Sequence, residues 1–142
     1  MADVASLRAV AVAAYEGYVP RIGRAPAPMT ADYARAVRHY EVWVAVQDDV
    51  IAGLLVLVVR PDHLLLENVA ALLSAQGLVI GTGLLDLAEE QARRHGVSEV
   101  RLYTNEAMTE NLAYYPRHGY TETHRARQDG FRRVFFRKTI AR

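Results

Sequence analysis

With 142 residues, the chain is long enough for one domain with a single hydrophobic core, which we place at residues 1–142. Its 17 basic and 16 acidic side chains nearly cancel, and this balance gives no reason to expect nucleic-acid binding. The absence of cysteine from the sequence excludes disulfides, thiolate metal sites and a cysteine nucleophile.

The N-terminal third is predicted to contain two helices joined by a loop. Residues 4–15 place apolar side chains at helical spacing, and Asp3 is a suitable N-cap. Because this start has an early acidic residue and no long apolar core, it is unlike a signal peptide, and we expect a cytoplasmic protein. Three prolines and a glycine at 18–28 predict an irregular loop. Thr30 is then expected to cap a helix that runs to about His39.

Three strands are predicted next, at residues 41–46, 51–60 and 64–71. Two hairpins in succession indicate an antiparallel meander, and the nearly continuous apolar runs of the later strands indicate that both of their faces are covered. The longest apolar run is far too short to cross a bilayer, so no membrane contact is expected.

The second half of the chain predicts a strand–helix–strand crossover, which joins parallel neighbours in a sheet. The segment QGLVIGTGLL at 76–85 leads into a helix that we expect to open near Gly81, and a strand follows at 99–104. Thr109 is then expected to cap a short helix that runs through Tyr115.

The last two strands, at 120–127 and 131–140, are predicted to form a hairpin around an Asp-Gly turn. Together these elements predict an α/β (α+β) fold. Its sheet is mixed and mostly antiparallel, with a central parallel pair, and helices flank it.

The glycine-containing segment predicts an anion site. A strand that ends at Ala71, a loop and a new helix leave unpaired N–H groups at the helix N-terminus, and these donors favour an anion. Two phosphate motifs fail: no Gly-Lys-Ser/Thr is present, and Asp86 stands where the dinucleotide fingerprint needs its third glycine. Taken alone, the segment also fits a packing role.

This segment carries one sequence motif, and a second motif follows it further along the chain. Gln76 and Gly81 match the pattern Gln/Arg-x-x-Gly-x-Gly/Ala at a helix start, and an apolar pair follows at 84–85. Tyr115 stands four residues before a glycine–aromatic pair at 119–120. The two motifs, the strand order, the N-terminal helices and the final hairpin resemble the GNAT superfamily of acyl-CoA-dependent N-acetyltransferases over nearly the whole chain.

The resemblance implies acetyl-CoA as cosubstrate and a primary amine as acceptor, in a small amine, an amino acid or a peptide. In that family the amine attacks the thioester directly, the pantetheine arm pairs with the fourth strand as an added strand, and the pyrophosphate lies on the amides of the glycine turn. The implied cofactor contacts are Val69, Ala70, Ala71, Gln76, Gly77, Leu78, Val79, Gly81 and Thr82, with the side chains of Asn105 and Asn111.

Two catalytic roles also follow from the resemblance. Tyr115 matches the family's usual acid, because a phenol within reach of the sulfur can protonate the leaving thiolate; the neighbouring Tyr114 is expected in the core. Glu67 is the acidic side chain nearest the cofactor end of its strand and is the candidate base, although it can equally pair with an arginine or face water. Asn68 is expected on the opposite face, to bind substrate or to support a strand bulge.

The acceptor is expected between the loop at 18–29 and the final hairpin. Tyr18, Arg21 and Arg24 can engage a carboxylate there, as in an amino acid or a peptide end, or can lie solvated. The five histidines lack metal-ligand spacing, so no metal is expected.

Three departures from the family keep an alternative open. Val79 stands where the family has its first glycine, and a valine at positive φ is strained. Leu72, Leu73 and Ser74 replace a polar turn and suggest a buried contact or a homodimer surface. The family's N-terminal strand is missing, which predicts an exposed edge at 41–46. The alternative is a degenerate member that acts as a CoA-sensing or protein-interaction module without catalysis.

Overall fold

The computed structural model describes residues 4–71 and 77–140, and six strands form one sheet in the order β1-β2-β3-β4-β6-β5. The strands are β1 (Glu41–Gln47), β2 (Val50–Val59), β3 (Leu64–Ala71), β4 (Glu99–Asn105), β5 (Thr121–Gln128) and β6 (Phe131–Thr139). Neighbouring strands are antiparallel except β3 and β4, which are parallel. The predicted mixed sheet with a central parallel pair is confirmed.

Helices lie on both faces of the sheet. They are α1 (Val4–Tyr15), α2 (Val19–Ile22), α3 (Ala27–Thr30), α4 (Tyr33–His39), α5 (Gly77–Arg94) and α6 (Thr109–Arg117). One core lies beneath α5 and α6, and a second lies beneath α1 and α4. Strand β2 contributes to both, because Leu55 and Leu57 face the first core while Leu54 and Val56 face the second. This confirms that both faces of β2 are covered.

The segment predicted as an irregular loop contains two short helices, α2 and α3. Each has a proline at one of its first two positions, where the missing N–H would have had no helical partner. The prediction of a structureless loop is therefore wrong. Asp32, and not Thr30, caps α4 by accepting a hydrogen bond from the Arg35 N–H at 3.0 Å. Thr109 is likewise the first residue of α6, and not its cap; the expected cap Asp3 lies outside the described residues.

Helix α5 begins at Gly77, which makes the prediction of an opening near Gly81 wrong. Val79 therefore lies inside a helix, and it is not among the described residues that have positive φ. The strain expected of a valine at positive φ is absent, since helical backbone suits any L-residue. The Val79 side chain is 73% exposed and lies away from the core.

Two glycines bring α5 close to its neighbours. A Cβ on Gly81 would lie 3.3 Å from Tyr114 Oη, and a Cβ on Gly53 of β2 would lie 2.8 Å from Ile80 Cγ2. Only a residue without a side chain permits the second approach. Other residues that the motif comparison singled out lie outside the described ranges, namely Leu72, Leu73, Ser74 and Gln76.

Strand β1 is an edge of the sheet, as predicted. In the described part of the chain no strand precedes α1. Trp43 of β1 is 39% exposed, in keeping with an uncovered edge. At the other edge the hairpin between β5 and β6 turns at Asp129 and Gly130, both with positive φ, as the Asp-Gly pair predicted.

Candidate active site

The parallel pair β3–β4 opens partway along its length. The two strands pair only from Leu64 opposite Val100 to Leu66 opposite Leu102. Beyond this point β3 continues to Ala71 and β4 continues separately to Asn105. The side of β3 that faces the gap can therefore pair with an extended ligand that carries amide groups.

A bulge in β3 lies at the start of this gap. Against β2, Val56 pairs with Asn68 and Leu57 pairs with Leu66, so Glu67 is an extra residue. Because the bulge shifts the alternation, Glu67 and Asn68 line the same cavity. The expected bulge is confirmed, and the expectation that Asn68 would lie opposite Glu67 is wrong.

A cleft of about 750 Å³ extends from the gap between the strands. Ligand sites of drug-sized molecules commonly have such a volume. Several predicted cofactor contacts line it together: Val69, Ala70, Ala71, Gly81 and Asn111. Gly77, Leu78 and Val79 form the first turn of α5, where backbone N–H groups have no partner within the helix. Thr82 lies in the second turn, where the helical ladder uses the N–H.

A second, smaller cavity of about 100 Å³ adjoins the cleft. We call it the chamber; α3, the bulge of β3, the end of β4 and the start of β6 surround it. Asn105 lies in the chamber, where its Oδ1 accepts a hydrogen bond from the Ala107 N–H at 2.9 Å. Four residues line both cavities, namely Tyr15, Val69, Asn111 and Tyr115. The two cavities therefore meet at these side chains.

Tyr115 lies at this junction. Its side chain is only 6% exposed and packs against Tyr120 and Phe136, so it belongs to the core as well as to the site. Burial raises the pKa of its phenol. Within the described residues its hydroxyl has no hydrogen-bond partner, and it is therefore available to donate to a ligand.

Tyr15 is a site residue that sequence reasoning missed. Its hydroxyl donates to the Val69 carbonyl at 2.7 Å and lies 3.2 Å from Asn68 Oδ1. Asn68 in turn donates to Tyr33 Oη at 2.8 Å. This buried network holds the bulge in place. Nothing local in the sequence indicates it, since Tyr15 simply ends the apolar face of α1.

A cluster of hydrogen bonds crosses one end of the cleft. Tyr18 Oη donates to Glu110 Oε2 at 2.6 Å, and Arg21 contacts both Glu110 oxygens at 3.0 and 2.9 Å. The hydrogen bond from Arg21, followed by that from Tyr18, lowers the pKa of Glu110 to about 2. Burial and then the Glu110 contact raise the pKa of Tyr18 to about 12. The carboxylate that Tyr18 and Arg21 engage here thus belongs to the chain itself.

Glu67, the candidate base, and Arg24, the remaining loop residue expected to engage a carboxylate, have different surroundings. Glu67 is exposed at the chamber, and Tyr103 Oη lies 3.4 Å from its Oε1. It takes part in no ion pair within the described ranges, so of the two alternatives to a base it faces water. Arg24 donates to the Asp129 carbonyl at 2.7 Å and stacks on the Phe131 ring.

The structure offers no sign of a metal site in residues 4–71 and 77–140, where no group of three acidic or histidine side chains converges. His63 contacts Asp62 and His95 contacts Glu41. No helix in the described part of the chain is long and apolar enough to cross a membrane.

The comparison with protein families identifies the class of protein. Residues 7–120 match the model of the Acetyltransferase (GNAT) family. Because this match covers most of the chain, the protein belongs to the GNAT family of acetyltransferases, as its two motifs predicted. No curated protein matches the sequence at a significant level.

Solved structures share the fold at low sequence identity. The ribosomal-protein-S18-alanine N-acetyltransferase from Escherichia coli is 18% identical with a TM-score of 0.76, over 99% of this chain and 89% of that one. PaiA N-acetyltransferase from Thermoplasma acidophilum, in complex with coenzyme A, is 18% identical with a TM-score of 0.74, over 96% and 92%. A GNAT family acetyltransferase from Elizabethkingia anophelis, with acetyl-CoA bound, is 17% identical with a TM-score of 0.64, over 76% and 81%.

Proposed function

We propose that the protein transfers an acetyl group from acetyl-CoA to a primary amine by direct attack of the amine on the thioester. The observation that carries the proposal is the junction at Tyr115, where the cleft and the chamber meet. Direct transfer requires two sites that open onto each other, because the two reactants must be in contact. The acetyl-CoA and the CoA in two of the similar structures support the choice of cofactor.

The cofactor would occupy the cleft. The backbone of Val69, Ala70 and Ala71 faces the gap beside β4 and would pair with the pantetheine amides. The first turn of α5, at residues 77–79, would bind the pyrophosphate through its N–H groups, because the helix dipole favours an anion there. Asn111 would contact the arm at the junction. Gln76, Gly81, Thr82 and Asn105 stay predicted contacts.

The reaction needs two proton transfers. The amine nitrogen forms a bond to the thioester carbonyl carbon, the C–S bond breaks, and the electron pair leaves on sulfur. Tyr115 would donate its proton to that sulfur, and its raised pKa keeps the phenol protonated at neutral pH until then. Glu67 would accept the proton that the amine loses, since it is the carboxylate at the chamber wall.

Release of CoA tests this function. A thiol reagent detects CoA without background, because the protein contains no cysteine. Amino acids, polyamines, aminoglycosides and peptides with free N-termini are supplied with acetyl-CoA. We expect amine-dependent release with at least one class.

If no amine produces CoA and acetyl-CoA still binds, the alternative of a CoA-sensing or protein-interaction module is correct. A cytoplasmic location and a homodimer surface at Leu72 and Leu73 stay predictions.

A further inference from the structure

Arg133 of β6 is a buried cation in the wall of the chamber. It is only 7% exposed, and its guanidinium carbon lies 4.3 Å from the ring centre of Tyr103 and 5.6 Å from that of Phe131. Both rings also line the chamber. The two aromatic contacts fix the plane of the guanidinium, as stacking on aromatic faces does for arginine.

The guanidinium is only partly paired. Its Nη1 donates to Gln128 Oε1 at 2.7 Å and lies 3.4 Å from Asp129 Oδ2. Its Nε and Nη2 have no acceptor within the described residues. Asp129 is itself 77% exposed, so it neutralises the buried charge weakly. Neither nitrogen is among the buried polar atoms without a partner, so this donor edge is accessible and can bind an anion.

Two side chains of opposite charge line the chamber, and both lie beside Tyr103. Glu67 lies at the hydroxyl end of Tyr103, and Arg133 lies over the ring of the same tyrosine. An ammonium is attracted to the first and a carboxylate to the second. The chamber is therefore complementary to a small zwitterion whose amine lies towards Glu67 and whose carboxylate lies towards Arg133.

We propose that the acceptor is a small amino acid and that Arg133 selects it by binding its carboxylate. A planar guanidinium with two adjacent free donors matches a carboxylate bidentately. The volume of about 100 Å³ has room for several waters, each of which needs roughly 15 Å³, and thus for a small amino acid. A polycationic acceptor would be repelled by Arg133. This inference rests on the proposed acetyl transfer and adds the class of acceptor to it.

The test compares each of the common amino acids with its carboxamide as acceptor, because the amide lacks the negative charge that Arg133 would bind. Rates are expressed per concentration of unprotonated amine, since amidation also lowers the pKa of the α-amine. We expect kcat/KM to favour the acid over the amide by about 10- to 100-fold for the best acceptor, as is typical of a charge-assisted hydrogen bond. In Arg133→Met the preference is lost, through a higher KM for the acid and an unchanged KM for the amide. Arg133→Lys should retain a weaker preference, because the positive charge stays while the two adjacent planar donors are lost.

Arg132→Met is the matched control. Arg132 is the exposed neighbour on the same strand and does not line the chamber. It should keep the full preference of the wild type. Equal kcat/KM for amides and acids would overturn the inference and leave the acetyl transfer intact. An Arg133→Met variant that keeps the preference for the acid would do the same.

A binding measurement separates this failure from failure of the proposed function. Glycine, L-alanine and L-glutamate, and their amides, are titrated into isotopically labelled protein, with and without CoA, and the backbone amide signals of residues 131–134 are followed by NMR. The acids should shift these signals in the wild type and not in Arg133→Met. If no acid shifts them, the inference is wrong whether or not the protein transfers acetyl groups.

Discussion

Replacing Tyr115 with phenylalanine separates catalysis from folding. The ring is buried, and the variant keeps it. Since the hydroxyl has no partner within the described residues, its removal breaks no hydrogen bond that stabilises the fold. We therefore expect the free energy of unfolding to change by no more than about 0.5 kcal/mol.

The effect on the rate should be much larger. A hydrogen bond to a charged group contributes about 1.5–3 kcal/mol, and each 1.36 kcal/mol corresponds to about a tenfold change in rate. Loss of the proton donor to the thiolate should thus lower kcat about 10- to 100-fold. The KM for acetyl-CoA should change little, because the ground state carries no charge on sulfur. Steady-state release of CoA, with both substrates varied, measures the two parameters.

Tyr120→Phe is the control. The Tyr120 hydroxyl likewise has no partner in the described part of the chain, but it is buried, and the residue lines neither the cleft nor the chamber. Removing it should leave kcat unchanged and should not lower stability, since an unsatisfied buried hydroxyl is a cost. A Tyr115→Phe enzyme with full kcat, or an equal loss in both variants, would refute the role of Tyr115 as proton donor.

Three further predictions concern the surroundings of the site. The hydrogen bonds to Glu110 depress the pKa of its carboxyl group from 4.5 to about 2. They therefore stabilise the fold above pH 4.5, and this contribution is lost as the pH falls towards 2. The thermal midpoints of wild type and Glu110→Gln should differ at neutral pH and converge near pH 2. Asn68→Ala leaves buried hydroxyl groups of Tyr15 and Tyr33 with fewer partners, and urea unfolding should show a loss of about 1–3 kcal/mol. Val79→Gly should not tighten acetyl-CoA binding in a calorimetric titration, because Val79 is already helical. The variant should lose about 0.5 kcal/mol of stability, since glycine has the lower helix propensity. A large gain in affinity would contradict the helical start of α5.

The sequence predicted the sheet well because its strands are bounded by local signals. Strand β3 was predicted with the same limits that the structure shows, since turn residues precede it and apolar residues continue to Ala71. The hairpin of β5 and β6 follows from the Asp-Gly pair at its turn. The two GNAT motifs, anchored on Gln76 and Tyr115, predicted the family that the comparison then showed.

The missed features depend on contacts between distant parts of the chain. Prolines predicted a loop where Pro20 and Pro28 in fact lie in the first turns of short helices. The bulge at Glu67 reversed the expected side of Asn68, since strand alternation alone cannot show an extra residue. Tyr15 meets Val69 across 54 residues, and no pattern near either one indicates the contact.

The chemistry of Arg133 could not be read from its neighbours in sequence either. The basic residues of the last hairpin look alike along the chain. Only the pairing of β6 with β4 brings Arg133 onto Tyr103, while Arg132 lies on the exposed side. Burial therefore distinguishes Arg133 from the other arginines of the hairpin.

Thermal unfolding with and without acetyl-CoA tests most directly whether the cleft is a cofactor site. A ligand at a hundred times its Kd stabilises the folded state by about 2.7 kcal/mol, which for a domain of this size raises the midpoint by roughly 10 °C. We predict such a rise, dependent on acetyl-CoA concentration and shared by free CoA. An unchanged midpoint at millimolar acetyl-CoA would contradict the assignment of the cleft to the cofactor.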